Sequence, residues 1–136
     1  MSPSGRTSDC SPTEGRTRLE QARAFLEVAE LIVDEIDDGL ATPQVAASLA
    51  VLSGIAASDA VCCSRLGQRS RGQDHRQAVD LLATVRPDGP AMAKDLRRLL
   101  EIKDQAHYAA TMVSATRVEQ AVQWARRLYD LAVRVG

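Results

Sequence analysis

An all-α bundle is predicted, four long helices and one short one, by three observations. Apolar residues recur at three- and four-residue steps in four long segments. The two-residue alternation of a half-buried strand appears nowhere. The breaks between segments are short and carry glycine, proline or capping residues, so successive helices run up and down. At 136 residues the chain is one domain by size, large enough to bury a core. Aromatic residues make up 3% against 45% hydrophobic overall, so alanine, leucine and valine must fill the interior and helices must pack closely.

Residues 1–12 are mostly serine, proline, glycine and threonine and are expected to be a loose tail, with one helical domain over 13–136. The first helix is expected from Pro12 or Thr17 to Ile36, with Thr17 and Glu20 as a capping box. Leu19, Ala22, Phe25, Leu26, Ala29, Ile32 and Val33 form its apolar stripe. Its end carries Asp34, Glu35, Asp37 and Asp38, which oppose the helix dipole and call for solvent or arginines from elsewhere. Gly39 ends it. Thr42-Pro43 opens the second helix, which runs to Leu66 and stops at Gly67. Few large polar residues interrupt this helix, so it is expected to be surrounded by other helices or to sit at a dimer interface. Asp59 lies inside it and requires an arginine or lysine partner.

A polar link, Gly67-Gln68-Arg69-Ser70-Arg71-Gly72-Gln73, leads to Asp74 as N-cap of a short helix from His75 to about Thr84. Residues 86–90 break the chain. The fourth helix is expected over Ala91–Val113. The fifth runs from a Thr116–Glu119 capping box to about Val135, with Trp124 flanking its stripe.

Composition bounds function. The formal net charge is −1, so no global basic field attracts nucleic acid and any such contact needs a local patch. Ser53, Ser58 and Asp59 interrupt the most apolar run, which argues against a membrane span. The N-terminal stretch lacks the apolar centre of a secretory leader. The three cysteines contain no CxxC pair: Cys10 falls in the tail, while Cys62 and Cys63 are helix neighbours that cannot bridge each other. Together these predict a cytoplasmic protein with no metal site and no cofactor. No glycine-rich phosphate loop, GxSxG or HExxH is present.

Two polar groups carry candidate chemistry. Lys103, Asp104, His107 and Tyr108 share one and a half turns of the fourth helix, with Lys103 and His107 on one face. A neutral imidazole can take a proton from a ribose 2′-hydroxyl, and an adjacent cation can hold the phosphate oxygen. That pairing suits RNA cleavage without metal; the plainer reading is a polar helix face. The second group is Arg65, Arg69, Arg71, His75 and Arg76, whose guanidinium forks match phosphate geometry. The plainer reading here is a solvated basic loop facing the acidic end of the first helix.

The order of features, SGIAASDAVC, then GQDHRQAVDLL, then LLEIKDQAHY and a final Ala-, Arg- and Leu-rich helix, resembles the HEPN superfamily, in particular its small actinobacterial members, over residues 17–135. The resemblance implies a helical bundle forming a homodimer. It also implies RNA binding and, in many members, metal-independent ribonuclease activity as the toxin of a pair with a nucleotidyltransferase-type antitoxin. The family signature is an arginine followed by a polar residue, with a histidine after four to six residues intervening from the arginine. Asp104 and His107 match its polar and histidine positions. Lys103 stands for the arginine, and three residues intervene between Lys103 and His107. The resemblance assigns His107 as base, Lys103 as electrostatic stabiliser and Asp104 as an orienting group. Arg65, Arg69, Arg71, His75, Arg76 and Tyr108 would hold RNA. Arg69 and His75 match the spacing literally but lie before the third helix. The alternative is a non-catalytic interaction module of the same fold acting through a partner protein. A small-ligand pocket between helices is a third reading.

Overall fold

The computed structural model describes residues 7–34, 42–71, 75–108 and 113–135, with only the helical backbone at Thr42 and 105–108. The order is β1 (Thr7–Asp9), α1 (Pro12–Asp34), α2 (Thr42–Leu66), β2 (Gln68–Ser70), α3 (His75–Ala83), α4 (Gly89–Tyr108) and α5 (Ala115–Val135). The fold is all-α, with a two-stranded antiparallel ribbon at one side.

Helix α2 is the hub, packing on α1, α3, α4 and α5. Its contact with α1 is made from small side chains. Ala22 and Ala29 on α1 and Ala46, Ala47, Ala50 and Ala57 on α2 are all fully buried. The buried hydroxyl of Ser53 donates to the Ala22 carbonyl at 2.8 Å, so this polar residue is satisfied inside the seam. Larger groups fill the other side: Met92, Leu96, Leu99, Ile102, Val118 and Leu128 are fully buried. Gly54 lets α4 approach. A Cβ built there would sit 2.5 Å from Leu99 Cδ1 and 3.5 Å from Leu128 Cδ2. By length and composition α2 passes for a membrane-spanning helix, contrary to the sequence expectation, but most of it is buried in the bundle as a core helix would be.

Helix boundaries shift where caps compete. Of the two expected starts α1 takes Pro12, and Ser11 caps it six residues before Thr17: the Glu14 amide donates to Ser11 Oγ at 3.1 Å, and the Ser11 amide to Glu14 Oε1 at 3.5 Å. Thr17 lies within the helix, its hydroxyl donating to the Thr13 carbonyl. Ser114, not Thr116, caps α5, accepting from the Arg117 amide at 3.2 Å. Gly67 ends α2 at φ 70°, the left-handed conformation that only glycine adopts without strain. Gly39, Glu35, Ile36, Asp37, Asp38 and the expected Asp74 cap lie outside the described residues. Of the acidic residues in α1, Glu30 is met by Arg126 of α5 at 2.6 and 3.0 Å.

Two expectations are corrected at the N-terminus. Residues 7–12 are not a loose tail, and the link after Gly67 is not all loop. Thr7, Ser8 and Asp9 pair with Ser70, Arg69 and Gln68. The Cys10 amide donates to the Gly67 carbonyl at 2.9 Å, and Cys10 is bridged to Cys63 by a disulfide. Strands of three residues are too short to display alternation, and their pairing joins segments some sixty positions apart. The bridge also removes the cysteine argument for a reducing compartment.

Candidate functional site

The two candidate groups meet where α3 lies against α4. Lys103 Nζ is 2.8 Å from His75 Nε2. A lysine ammonium only donates, so Nε2 is the acceptor and the proton of the neutral ring sits on Nδ1. Helix α3 is positioned for this by Leu82, fully buried, and by partly buried Ala78, Val79 and Leu81. Its opposite edge carries Arg76 and Asp80, which are exposed.

Beside this contact runs an open groove of about 670 Å³ lined by His75, Arg76, Val79, Asp80, Arg97, Leu100, Glu101 and Asp104. Its charges alternate in sign: Arg76 and Arg97 face Asp80, Glu101 and Asp104. The sequence analysis missed Asp80, Arg97 and Glu101. Their signal was present, since Arg97, Glu101 and Asp104 stand at i, i+4 and i+7 on one helix face and Arg76 and Asp80 at i and i+4.

The structure gathers His75, Arg76, Lys103 and Asp104 and places Arg65, Arg69 and Arg71 elsewhere. Arg65 turns away to donate to the Arg86 carbonyl at 3.1 Å. Arg71 is exposed. Arg69 extends from β2 towards Asp59, 3.9 Å from Oδ2. The His107 and Tyr108 side chains lie outside the described residues, although α4 carries their backbone.

Asp59 has the partner that its burial demanded. Arg18 of α1 donates to Oδ2 from Nε at 3.2 Å and from Nη2 at 2.9 Å. Burial nonetheless pushes the Asp59 carboxyl above its ordinary value, outweighing the opposing pull of Arg18 and Arg69. Cys62, packed in the same helix, is pushed up to about 12 by burial and by Asp59, so it stays a neutral thiol.

A second buried acid was not anticipated. Asp95 on α4 is 1% exposed. Arg127 of α5 reaches both its oxygens, at 2.8 and 2.5 Å. Nearby, Arg98 and Arg117 lie over the Trp124 ring, at 5.5 and 5.6 Å from its centroid, so this aromatic is covered by the chain's own cations. In comparisons with family models, curated proteins and solved structures, nothing matches this chain.

Proposed function

We propose that this chain is a HEPN-like, dimeric RNA-binding protein that engages phosphate at the end of the bundle where α3 meets α4. The observation that supports this most is the Lys103–His75 contact, which joins two cation-bearing groups that are 28 positions apart in the sequence. Arg76 and Arg97 add forked donors along the groove, the geometry that phosphate oxygens accept best.

Cleavage without metal would use the same pair. His75 Nε2 exchanges its lysine contact for a ribose 2′-hydroxyl and takes its proton as that oxygen attacks phosphorus. The bond to the 5′-oxygen of the next nucleotide breaks, that oxygen takes a proton from water, and a 2′,3′-cyclic phosphate remains. The released ammonium of Lys103 holds the nonbridging oxygen as charge builds. Asp104, exposed in the groove, orients the substrate, and His107 supplies a second imidazole on the same helix.

A degradation assay on single-stranded RNA in EDTA tests this. The expected result is cleavage by the parent, lost by at least tenfold in His75→Ala and Lys103→Ala, with His107→Ala measured beside them. Cleavage unchanged in the first two variants would exclude the pair.

One observation favours a second reading. The acids Asp80, Glu101 and Asp104 share the groove with the cations, and alternating charge suits a charged protein segment better than a polyanion. On that reading the chain is a non-catalytic module acting through a protein partner, such as a nucleotidyltransferase-type antitoxin.

A further inference from the structure

The disulfide and the strap that it fastens belong to no part of the groove chemistry. We propose that Cys10–Cys63 is a thiol–disulfide exchange site, opened by a dithiol reductant, whose opening releases the strap Thr7–Cys10 and unfastens β2 with Arg69.

The strap has little else to hold it. Thr7, Ser8 and Asp9 contribute no large apolar side chain, and none of the three is buried. Their attachment is a three-residue ladder to β2 and one further backbone hydrogen bond, from the Cys10 amide to the Gly67 carbonyl. Cys10 is the one buried residue of the strap, 7% exposed. Cys63, by contrast, sits on α2, which the bundle holds on several sides. Cutting the bond therefore frees one end and leaves the other in place.

Both cysteines are buried, Cys10 7% and Cys63 1% exposed, so attack follows fraying of the strap, whose ladder is three residues long. A pocket of about 460 Å³ is lined by Glu14, Thr17, Arg18, Gln21, Cys63 and Arg69. Two guanidinium groups there favour an incoming thiolate, with Glu14 opposing at the rim. The thiolate attacks the Cys63 sulfur, forming a mixed disulfide, and Cys10 leaves as a thiolate that takes a proton from water. The second thiol of the reductant then displaces Cys63. The reductant ends as a disulfide, and the protein gains two electrons and two protons. Cys62 stays out of the exchange because its thiol remains neutral.

Release changes the surroundings of Asp59. Arg18 stays on α1 at 2.9 Å, while Arg69, carried by β2, is no longer pinned near the carboxylate. Six residues beyond Arg69 the chain enters α3 at His75, so the redox state reaches the strand that leads into the groove. The inference rests on the disulfide and stands whether or not the groove takes RNA.

The test uses the full chain, prepared in air, with dithiothreitol as the probe. Thiols are alkylated under denaturing conditions and counted by mass, and amide hydrogen exchange is followed in the native protein. The expected count is one thiol before reduction and three after. On reduction, exchange should rise at least tenfold over residues 7–10 and 68–70 and stay unchanged in α5. Cys10→Ser, which leaves the core position Cys63 intact, should show the fast exchange without reductant. Three thiols in the untreated protein would overturn the proposal. So would unchanged exchange at the ribbon after reduction, or a rise spread across all helices.

Discussion

Two carboxylates are buried in this bundle, and they are held differently. Asp95, on the α4–α5 seam, receives Arg127 as a fork, with a separate nitrogen on each oxygen, and Arg98 stands 4.0 Å from Oδ1. Asp59, on the strap side of α2, has two arginines, yet every close guanidinium nitrogen falls on the same oxygen: two from Arg18 and, farther off, one from Arg69. Each acid thus has two arginines, and the count does not separate them. Geometry does, because the planar fork of Arg127 engages both oxygens of Asp95, while the contacts to Asp59 fall on a single oxygen and leave burial in control there. The Asp95 seam is built as a fixed joint. The Asp59 side, bordered by a strap, a disulfide and His75, is the adjustable part of the molecule.

Removing each arginine separates the two. Arg127→Ala should cost roughly 3 kcal/mol of stability, at the low end for breaking a buried pair because Arg127 itself is more than half in water. Arg18→Ala should cost less, about 1–2 kcal/mol, since the Asp59 carboxyl, already raised by burial, takes up a proton readily. Chemical denaturation of both variants checks the order; equal losses would erase the contrast. The finest discrimination is pH. The folded chain holds the Asp59 proton more tightly than the unfolded chain does. This group therefore supports folding at low pH and loses that contribution as pH rises from about 3.8 through its raised value. Asp59→Asn removes the dependence, so its stability relative to the parent should improve as pH rises from about 4 to 7. A difference that stays flat with pH would mean that Asp59 titrates normally.

The helices were legible because each repeats a local rule many times. The apolar period of α1, α4 and α5, the alanine-rich α2 and the stop at Gly67 can all be read without knowing what packs against them. The requirement that Asp59 find an arginine was also readable, because burial of a charge demands a partner wherever it comes from. What the sequence hid depends on distance in the chain. Thr7–Asp9 becomes a strand only because Gln68–Ser70 lies beside it. Cys10 pairs with Cys63 across 53 positions, and nothing local to either cysteine marks the bond. At the candidate site, Lys103 and His75 were each singled out but assigned to separate groups, since their meeting follows from how α3 folds back on α4. Caps moved, by six residues at α1 and two at α5, because Ser11 and Ser114 compete with Thr17 and Thr116 for the same role.

The central claim is that the Lys103–His75 end of the α3–α4 groove holds phosphate. A direct measurement is the titration of a fluorescent single-stranded RNA with the parent, His75→Ala, Lys103→Ala and, as a control from the far side of the bundle, Arg134→Ala, at about 50 and 200 mM salt. The account predicts binding that weakens with salt, a further loss of about tenfold or more in each of the first two variants, and no change in the control. Binding that is absent in the parent, or equal in all four proteins, would contradict it.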